Sequence, residues 1–268
     1  MNLEEFYGRP LEAVLADPGL PAAREELLAA LEAGSVHAAR RTSEGRWEAV
    51  TWVKAAILAG FRSTGMVAFE AWPGGAFDKG AYPPRRLGLN DGVRLVPGGS
   101  AIRRGAHVAA GVVVMPPAYI NVGASVGAGT MVDSHALVGS CAQIGERVHL
   151  SAGAQVGGVL EPAGARPVIV EDEAFVGALT GLFEGVVVGS RAVLAPGVII
   201  TGSTTIYDLV RGGELRGEVP EGAVVVPGSR PARGDYASSR GISLYAPCIV
   251  KYRDAGTDAA TVLEEALR

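Results

Sequence analysis

Aliphatic residues recur every six positions through the central part of the chain. A period of six fits neither the 3.6-residue period of an α-helix nor the alternation of a single strand. It indicates hexapeptide repeats, in which three short strands and turns close one triangular coil with the aliphatic side chain inside. The series comprises Ile102, Val108, Val114, Ile120, Val126, Val132, Val138, Ile144, Leu150, Val156, Val170, Val176, Leu182, Val188, Leu194, Ile200 and Ile206. The pattern therefore predicts a mainly β protein built on a parallel β-helix.

The spacing is broken once, between Val156 and Val170. These residues are fourteen positions apart, which is two more than two complete repeats. We therefore interpret the segment from Glu161 to Pro167 as containing an insertion of two residues.

Glycine often directly follows the inward aliphatic residue, as at Gly127 and Gly139, and Asn121 and Asp133 take the same place. Glycine adopts positive φ without strain, and Asn and Asp tolerate it better than most residues. We therefore predict that this position is a turn residue with positive φ.

Helical and strand-like patterns flank the repeats. Residues 20–35 begin with Leu and Pro, carry leucines on one side and end near a glycine, which predicts a helix. A second helix is predicted over 51–61, with a hairpin over 41–46 between them. Further predictions are strands at 223–227 and 242–250 and a short helix at 262–268. We expect three regions: an α-rich N-terminal domain over 1–93, the β-helix over 94–226 and a small C-terminal β/α arm over 227–268.

Charge and composition exclude several functional classes. The net charge is −4 and no run of Lys or Arg occurs, which disfavours nucleic acid or an anionic membrane as partner. No apolar stretch is long enough to span a bilayer, and the first residues are acidic rather than typical of a signal peptide, so we expect a cytoplasmic protein. Two distant cysteines and four scattered histidines lack the spacing of a disulfide framework or a metal site.

Several strings together are more specific than the repeat. They are WVKAAILAGFR (52–62), FDK (77–79), VRLVP (93–97), GTMVDSHALVGSCAQIGERVHLSAGAQVGGVLEP (129–162), TTIYD (204–208) and SLYAPCIVK (243–251). In these strings the chain resembles the tetrahydrodipicolinate N-succinyltransferase family. The resemblance implies a left-handed coil and a homotrimer with active sites between adjacent subunits. It also implies succinyl-CoA as co-substrate, no tightly bound cofactor and no metal, and acylation of a ring-opened amino-dicarboxylate in lysine and diaminopimelate biosynthesis.

Such a direct acyl transfer requires a group that deprotonates the ammonium, groups that orient the amine, and N–H donors for the oxyanion. Asp133 matches the substrate-contacting aspartate of the family and is the first catalytic candidate. Arg94 matches an arginine that pairs with a substrate carboxylate, a task suited to its guanidinium. Lys251 and Arg253 are candidates for CoA phosphate contacts. Each has a simpler interpretation, a turn residue for Asp133 and solvated surface charges for the other three.

One segment departs from the family pattern. In FVGALTGLFEGV (175–186), Leu179 and Gly181 stand where the family usually carries Arg and Glu, and that Glu is one of the acids linked to catalysis. Glu184 remains as a second catalytic candidate or a structural turn residue. His135 replaces an aromatic residue after the aspartate, and we expect it to be an outward-facing residue without a catalytic role.

Five alternatives compete with the succinyltransferase of this family. An acetyl-CoA-dependent N-acetyltransferase, or a succinyltransferase for another amino-dicarboxylate, fits the same repeat. A metal-dependent lyase resembling γ-carbonic anhydrase needs a histidine cluster that the sequence does not suggest. A non-catalytic β-helix trimer is motivated by Gly181. A sugar nucleotidyltransferase is disfavoured, because residues 1–93 hold no glycine-rich nucleotide-binding segment.

Overall fold

A computed structural model describes residues 1–69 and 75–254 of the protein. Short parallel strands stack into three sheets, which form the faces of a triangular prism. Face 1 consists of His107–Val108, Ser125–Val126, Gln143–Ile144, Ile169–Val170, Val187–Val188 and Glu218–Val219. Face 2 consists of Arg94–Leu95, Val113–Val114, Met131–Val132, His149–Leu150, Phe175–Val176, Val193–Leu194 and Ala223–Val226. Face 3 consists of Ala101–Ile102, Tyr119–Ile120, Leu137–Val138, Gln155–Val156, Gly181–Leu182 and Ile199–Ile200.

The predicted inward aliphatic residues form the core of the prism. Every member of the six-residue series is buried in one continuous hydrophobic cluster, which confirms the prediction. A second buried column lies two residues before them and is made largely of Ala and Val, such as Ala124 and Val148. Each fully buried aliphatic side chain contributes about 1.5–3 kcal/mol. One coil cannot offset the ordering entropy of its backbone alone, so the coils stabilise one another by stacking.

The predicted position of the turn residue is wrong. Positive φ occurs three residues after the inward aliphatic, as at Gly123, His135 and Cys141, whereas Asp133 and Asn121 are not among the described residues with positive φ. The glycines that directly follow an inward aliphatic residue are explained by the closeness of the next coil. A Cβ on Gly139 would lie 2.2 Å from the backbone nitrogen of the next coil at Gly158, and the backbone cannot yield as a side chain would.

The chain geometry corrects two further interpretations. Val156 lies on face 3 and Val170 on face 1, the next face, so one repeat of six separates them and the insertion is eight residues rather than two. The last step of the series also leaves the coil. Ile206 is buried, but its strand joins the extended sheet of face 2, and the next strand of face 1 is Glu218–Val219.

The N-terminal region packs four helices and a hairpin against face 1 of the prism and against the adjoining edge. Its helices are α1 (Leu3–Tyr7), α2 (Leu11–Leu15), α3 (Leu20–Glu32) and α4 (Thr51–Ser63), and its hairpin pairs Ala39–Arg41 with Trp47–Ala49. These positions confirm the two predicted helices and the predicted hairpin. The helices share a hydrophobic cluster with Val122 and Cys141 of the coils. A second small sheet pairs Met66–Ala68 with Phe77–Lys79, and a 3₁₀ turn spans Leu89–Asp91.

Lys54 of α4 holds the inserted segment against the N-terminal helices. Its side chain is fully buried, and Nζ donates hydrogen bonds to the carbonyl oxygens of Pro162 (3.0 Å) and Ala165 (2.5 Å). Burial disfavours the charged form and lowers the pKa of this ammonium group. The two carbonyl contacts supply the hydrogen bonds that a buried cation requires.

The C-terminal residues extend face 2. Cys248–Tyr252 pairs antiparallel with Ala223–Val226 and continues the sheet to Thr205–Asp208 and Gly213–Arg216. The strands Ser229–Pro231 and Ser243–Tyr245 pair with each other, and the chain that connects them contains helix α5 (Asp235–Ser239). The strand predicted over 242–250 is therefore two strands, separated by Ala246 and Pro247. The helix predicted over 262–268 lies outside the described residues. Within the described part of the chain, no helix has the length and apolarity to cross a membrane.

Candidate active site

Asp133 lies at the edge where face 2 turns into face 3. Its backbone N–H donates to the carbonyl of Leu150 (2.9 Å), and its carboxylate Oδ1 accepts a hydrogen bond from the N–H of Ser134 (2.6 Å). The side chain is partly buried, and Oδ2 accepts no hydrogen bond from any described residue. One carboxylate oxygen is thus fixed by the turn, and the other keeps its capacity to accept a hydrogen bond.

The same side-chain arrangement recurs at Asn121, where Oδ1 accepts from the N–H of Val122 (2.8 Å). An amide and a carboxylate therefore serve equally in this turn. A negative charge at position 133 is not required by the local backbone, which leaves it available for chemistry.

His135 occupies the positive-φ position of the same turn, with φ of 62°. Its backbone N–H donates to the carbonyl of Pro117 (2.5 Å), and its own carbonyl accepts from Gln155 Nε2 (3.1 Å). The residue is exposed, as expected from the sequence. These backbone bonds tie the Asp133 turn to the coils on both sides.

Arg94 begins the first strand of face 2, and the structure places it at the same end of the face as Asp133. It pairs in register with Val113, which pairs with Met131. Neighbouring strands are about 4.8 Å apart, so Arg94 is about 10 Å from the strand that leads into Asp133. The Arg94 side chain is exposed, and a guanidinium has the reach to cover much of this distance. The two candidates therefore lie on the same face, near the same end of the prism.

The outward side of face 2 carries an apolar column that sequence reasoning missed. It contains Met131 and the rings of His149 and Phe175, whose centroids are 4.9 Å apart and whose planes are tilted by 54°. The signal was available, because the residue directly before each inward aliphatic must point outward in a two-residue strand. The column leads from the Asp133 turn along the face and forms a hydrophobic wall.

Lys251 and Arg253 lie at the far end of face 2. Lys251 is paired with Val224, which places it seven strand spacings, about 34 Å, from Arg94. It is exposed and 3.5 Å from a carboxylate oxygen of Asp254. Arg253 donates to the backbone carbonyls of Glu173 (3.0 Å) and Arg191 (3.2 Å) on the opposite edge of the face. Neither residue reaches a small acceptor bound at Asp133 in the same chain.

Glu184 lies on a different edge of the prism, where face 3 turns into face 1. It is exposed, has φ of 56°, and precedes Gly185 with φ of 72°. The edge and the coil both differ from those of Asp133, so the two carboxylates do not meet within one chain.

Phe183 fills the space beside Gly181. A Cβ on Gly181 would lie 2.6 Å from Cε2 of the Phe183 ring, and a Cβ on Gly157 in the preceding coil would lie 2.6 Å from Cδ1. The ring thus covers two glycines on the outward side of face 3. A glutamate at position 181 requires that this ring move.

Two other kinds of chemistry receive no support at the site. Among residues 1–69 and 75–254, no group of three His, Cys, Asp or Glu side chains is placed to hold a metal ion. Cys141 is completely buried, and burial raises the pKa of its thiol to about 12 against the opposing effect of Lys54. Its thiolate is therefore scarce at neutral pH, and Cys141 is a packing residue rather than a nucleophile.

Two sequence profiles match the chain. The profile described as "Tetrahydrodipicolinate N-succinyltransferase N-terminal" matches residues 12–63, and the one described as "Hexapeptide repeat of succinyl-transferase" matches residues 167–202. The 2,3,4,5-tetrahydropyridine-2,6-dicarboxylate N-succinyltransferase of Azoarcus sp. (strain BH72) is 49% identical over 249 residues, which cover 91% of this chain and 88% of that protein. The protein of the same name from Aromatoleum aromaticum is 49% identical over 251 residues, with coverages of 90% and 87%.

A solved structure shares the fold at much lower identity. It is a putative 2,3,4,5-tetrahydropyridine-2-carboxylate N-succinyltransferase from Campylobacter jejuni, with a TM-score of 0.54 and 18% sequence identity. The alignment covers 89% of this chain but 64% of that one, so the present chain spans less than two thirds of that protein. At this identity the similarity establishes the fold alone.

Proposed function

Because this chain belongs to the tetrahydrodipicolinate N-succinyltransferase family, we propose that it transfers succinyl from succinyl-CoA to the amine of ring-opened tetrahydrodipicolinate in lysine and diaminopimelate biosynthesis. It is a CoA-dependent N-acyltransferase. The observation that carries the proposal is the near-full-length similarity to proteins of that name. The open carboxylate oxygen of Asp133 and the placement of Arg94 on the same face support it.

The reaction needs one base and one oriented pair of reactants. Asp133 Oδ2 holds the substrate ammonium and takes its proton, while Arg94 pairs with a substrate carboxylate. The free amine attacks the thioester carbonyl, a C–N bond forms, and the tetrahedral intermediate collapses as the C–S bond breaks. The CoA thiolate leaves and accepts a proton. With Gly181 and Phe183 in place, no carboxylate projects from position 181, so proton transfer falls to Asp133.

We further propose a left-handed coil and a homotrimer, with each site between adjacent subunits. Exposed apolar side chains support the association of subunits. They include Leu179 (71% exposed), on the edge between faces 2 and 3, and Ile199 (40% exposed), on face 3. Burying such residues between subunits removes apolar surface from water. In that arrangement, Lys251 and the apolar column of face 2 line the path of the long CoA arm.

Light scattering at micromolar concentration is expected to give a mass near 82 kDa, three times the 27.5 kDa of the chain. A protein that stays at the chain mass under these conditions contradicts the trimer. It would also require the complete acyltransfer site to lie on one chain.

The donor preference tests the proposed function directly. Succinyl-CoA carries a free carboxylate that acetyl-CoA lacks, and a hydrogen bond to a charged group contributes about 1.5–3 kcal/mol. We expect kcat/KM for succinyl-CoA to exceed that for acetyl-CoA by about 10–100-fold, measured by CoA thiol release with the ring-opened acceptor.

Faster turnover with acetyl-CoA would favour the N-acetyltransferase instead. A specific observation motivates that alternative, because Leu179 places an exposed apolar side chain where the family resemblance implies an arginine. Turnover with neither donor, on this and other amino-dicarboxylates, would favour a non-catalytic trimer.

A further inference from the structure

A cavity of about 520 Å³ lies between face 1 and the N-terminal hairpin. It exists because the N-terminal region covers face 1 at two points and leaves a gap between them. At one point His107 packs under the end of α3, with its Nδ1 3.0 Å from the carbonyl of Glu32. At the other, Ala39 and Trp47 pack on Ile169. The gap has its floor at the two face 1 positions between them.

Those two floor positions are polar and nearly buried. Gln143 is 7% exposed, and its Nε2 donates to three backbone carbonyls, the shortest being that of Cys141 at 2.8 Å. The amide is thereby oriented with Oε1 directed away from those carbonyls, as an acceptor on the cavity side. Ser125, its register partner, is 8% exposed, and its Oγ makes no hydrogen bond to any described residue.

Ser125 and Gln143 are outward positions, directly before the inward Val126 and Ile144. Neither Ser125 Oγ nor Gln143 Oε1 is among the atoms of the described residues that are closed off from solvent without a partner, so both can be reached from the cavity. Together they form an acceptor pair suited to an N–H-rich group of a ligand.

The rim of the cavity carries a cation with remaining donor capacity. Glu171 is fully engaged, since it accepts from Arg41, from Trp47 Nε1 (2.7 Å) and from Ser190. Arg40 contacts the exposed Glu48 through Nε (2.7 Å), which leaves the terminal N–H groups of its guanidinium for a carboxylate.

We propose that this cavity binds a free α-amino acid, with its ammonium donating to Gln143 Oε1 and Ser125 Oγ and its carboxylate paired with Arg40. Within one chain, this cavity lies on face 1 and Asp133 lies on the edge between faces 2 and 3, so the two are separate there. The binding does not depend on the proposed reaction, so each can fail without the other.

Isothermal titration calorimetry of the full-length protein against the free L-amino acids tests the proposal. At least one is expected to bind with Kd below about 1 mM, and its deamino acid and decarboxylated amine are expected to bind at least tenfold more weakly. No binding by any L-amino acid overturns the proposal. If the deamino acid binds as tightly as the L-amino acid, the floor atoms do not hold the ammonium. If the decarboxylated amine binds as tightly, Arg40 does not hold the carboxylate.

Variants locate the site. Ser125→Ala removes a hydroxyl that makes no described internal hydrogen bond, and we expect about fivefold weaker binding with an unchanged Tm. Ser125→Leu fills the cavity and is expected to abolish binding, with the circular dichroism spectrum and Tm as the check that the protein is folded. Arg40→Ala is expected to weaken binding tenfold or more.

The matched control is Arg46→Ala, which removes an exposed arginine of the same hairpin outside the cavity and is expected to leave Kd unchanged. If Ser125→Ala and Arg40→Ala both bind the amino acid as tightly as the unsubstituted protein does, the ligand binds elsewhere.

Discussion

Replacing Asp133 with asparagine is expected to lower turnover by about 10²–10⁴-fold while leaving Tm nearly unchanged, because general-base contributions have this size. Asn121 already forms the same side-chain bond to the following N–H, at 2.8 Å, so an asparagine at position 133 keeps the bond to Ser134. The substitution removes only the negative charge and the basicity. CoA-release kinetics under saturating donor and a thermal melt measure the two effects.

Asp172→Asn is the matched control. Its Oδ1 also accepts a backbone N–H, from Glu146 at 2.8 Å, but it lies on the edge between faces 1 and 2. The Asp172→Asn variant is expected to keep normal turnover. Near-normal turnover of Asp133→Asn as well would show that Asp133 is structural, and catalysis would then have to be sought at Glu184 or in backbone N–H donors.

Gly139→Ala is expected to lower the free energy of unfolding by about 3 kcal/mol or more. The added Cβ would lie 2.2 Å from the nitrogen of Gly158 and 2.6 Å from the carbonyl carbon of Gly157. Both atoms belong to the backbone of the adjacent coil, so the coils must separate and weaken their hydrogen bonds. Urea unfolding followed by circular dichroism measures the change.

Gly164→Ala provides the comparison, since a Cβ there meets no atom within 4 Å and the residue has no positive φ. Its effect is expected to stay within about 0.5 kcal/mol. Equal stability of the two variants would mean that the spacing between coils adjusts freely.

The six-residue series predicted the core because inward packing is a local consequence of strand alternation. The glycines were misassigned because each repeat uses small residues at two places for different reasons. Positive φ at Gly123 is a property of its own turn, whereas the clash at Gly139 involves atoms about eighteen residues further along the chain. The second cause appears only when the coils are stacked.

The site was predictable in the same uneven way. The motif strings single out Asp133 and Arg94 but do not say how they lie relative to each other, whereas the register places the strands of both residues on face 2. The covering of Gly157 and Gly181 by Phe183 follows from a rotamer and from two different coils, so no local pattern indicates it. The miscount of the insertion had a related cause, because spacing alone does not tell which face a strand joins.

The register of face 2 also divides its length into equal steps. Successive outward positions, such as Val113, Met131 and His149, recur after eighteen residues and advance by one strand spacing of about 4.8 Å. Gain or loss of one whole coil between Asp133 and Lys251 would therefore change the separation of these two residues along the prism by about one strand spacing, while each residue kept its place within its own coil.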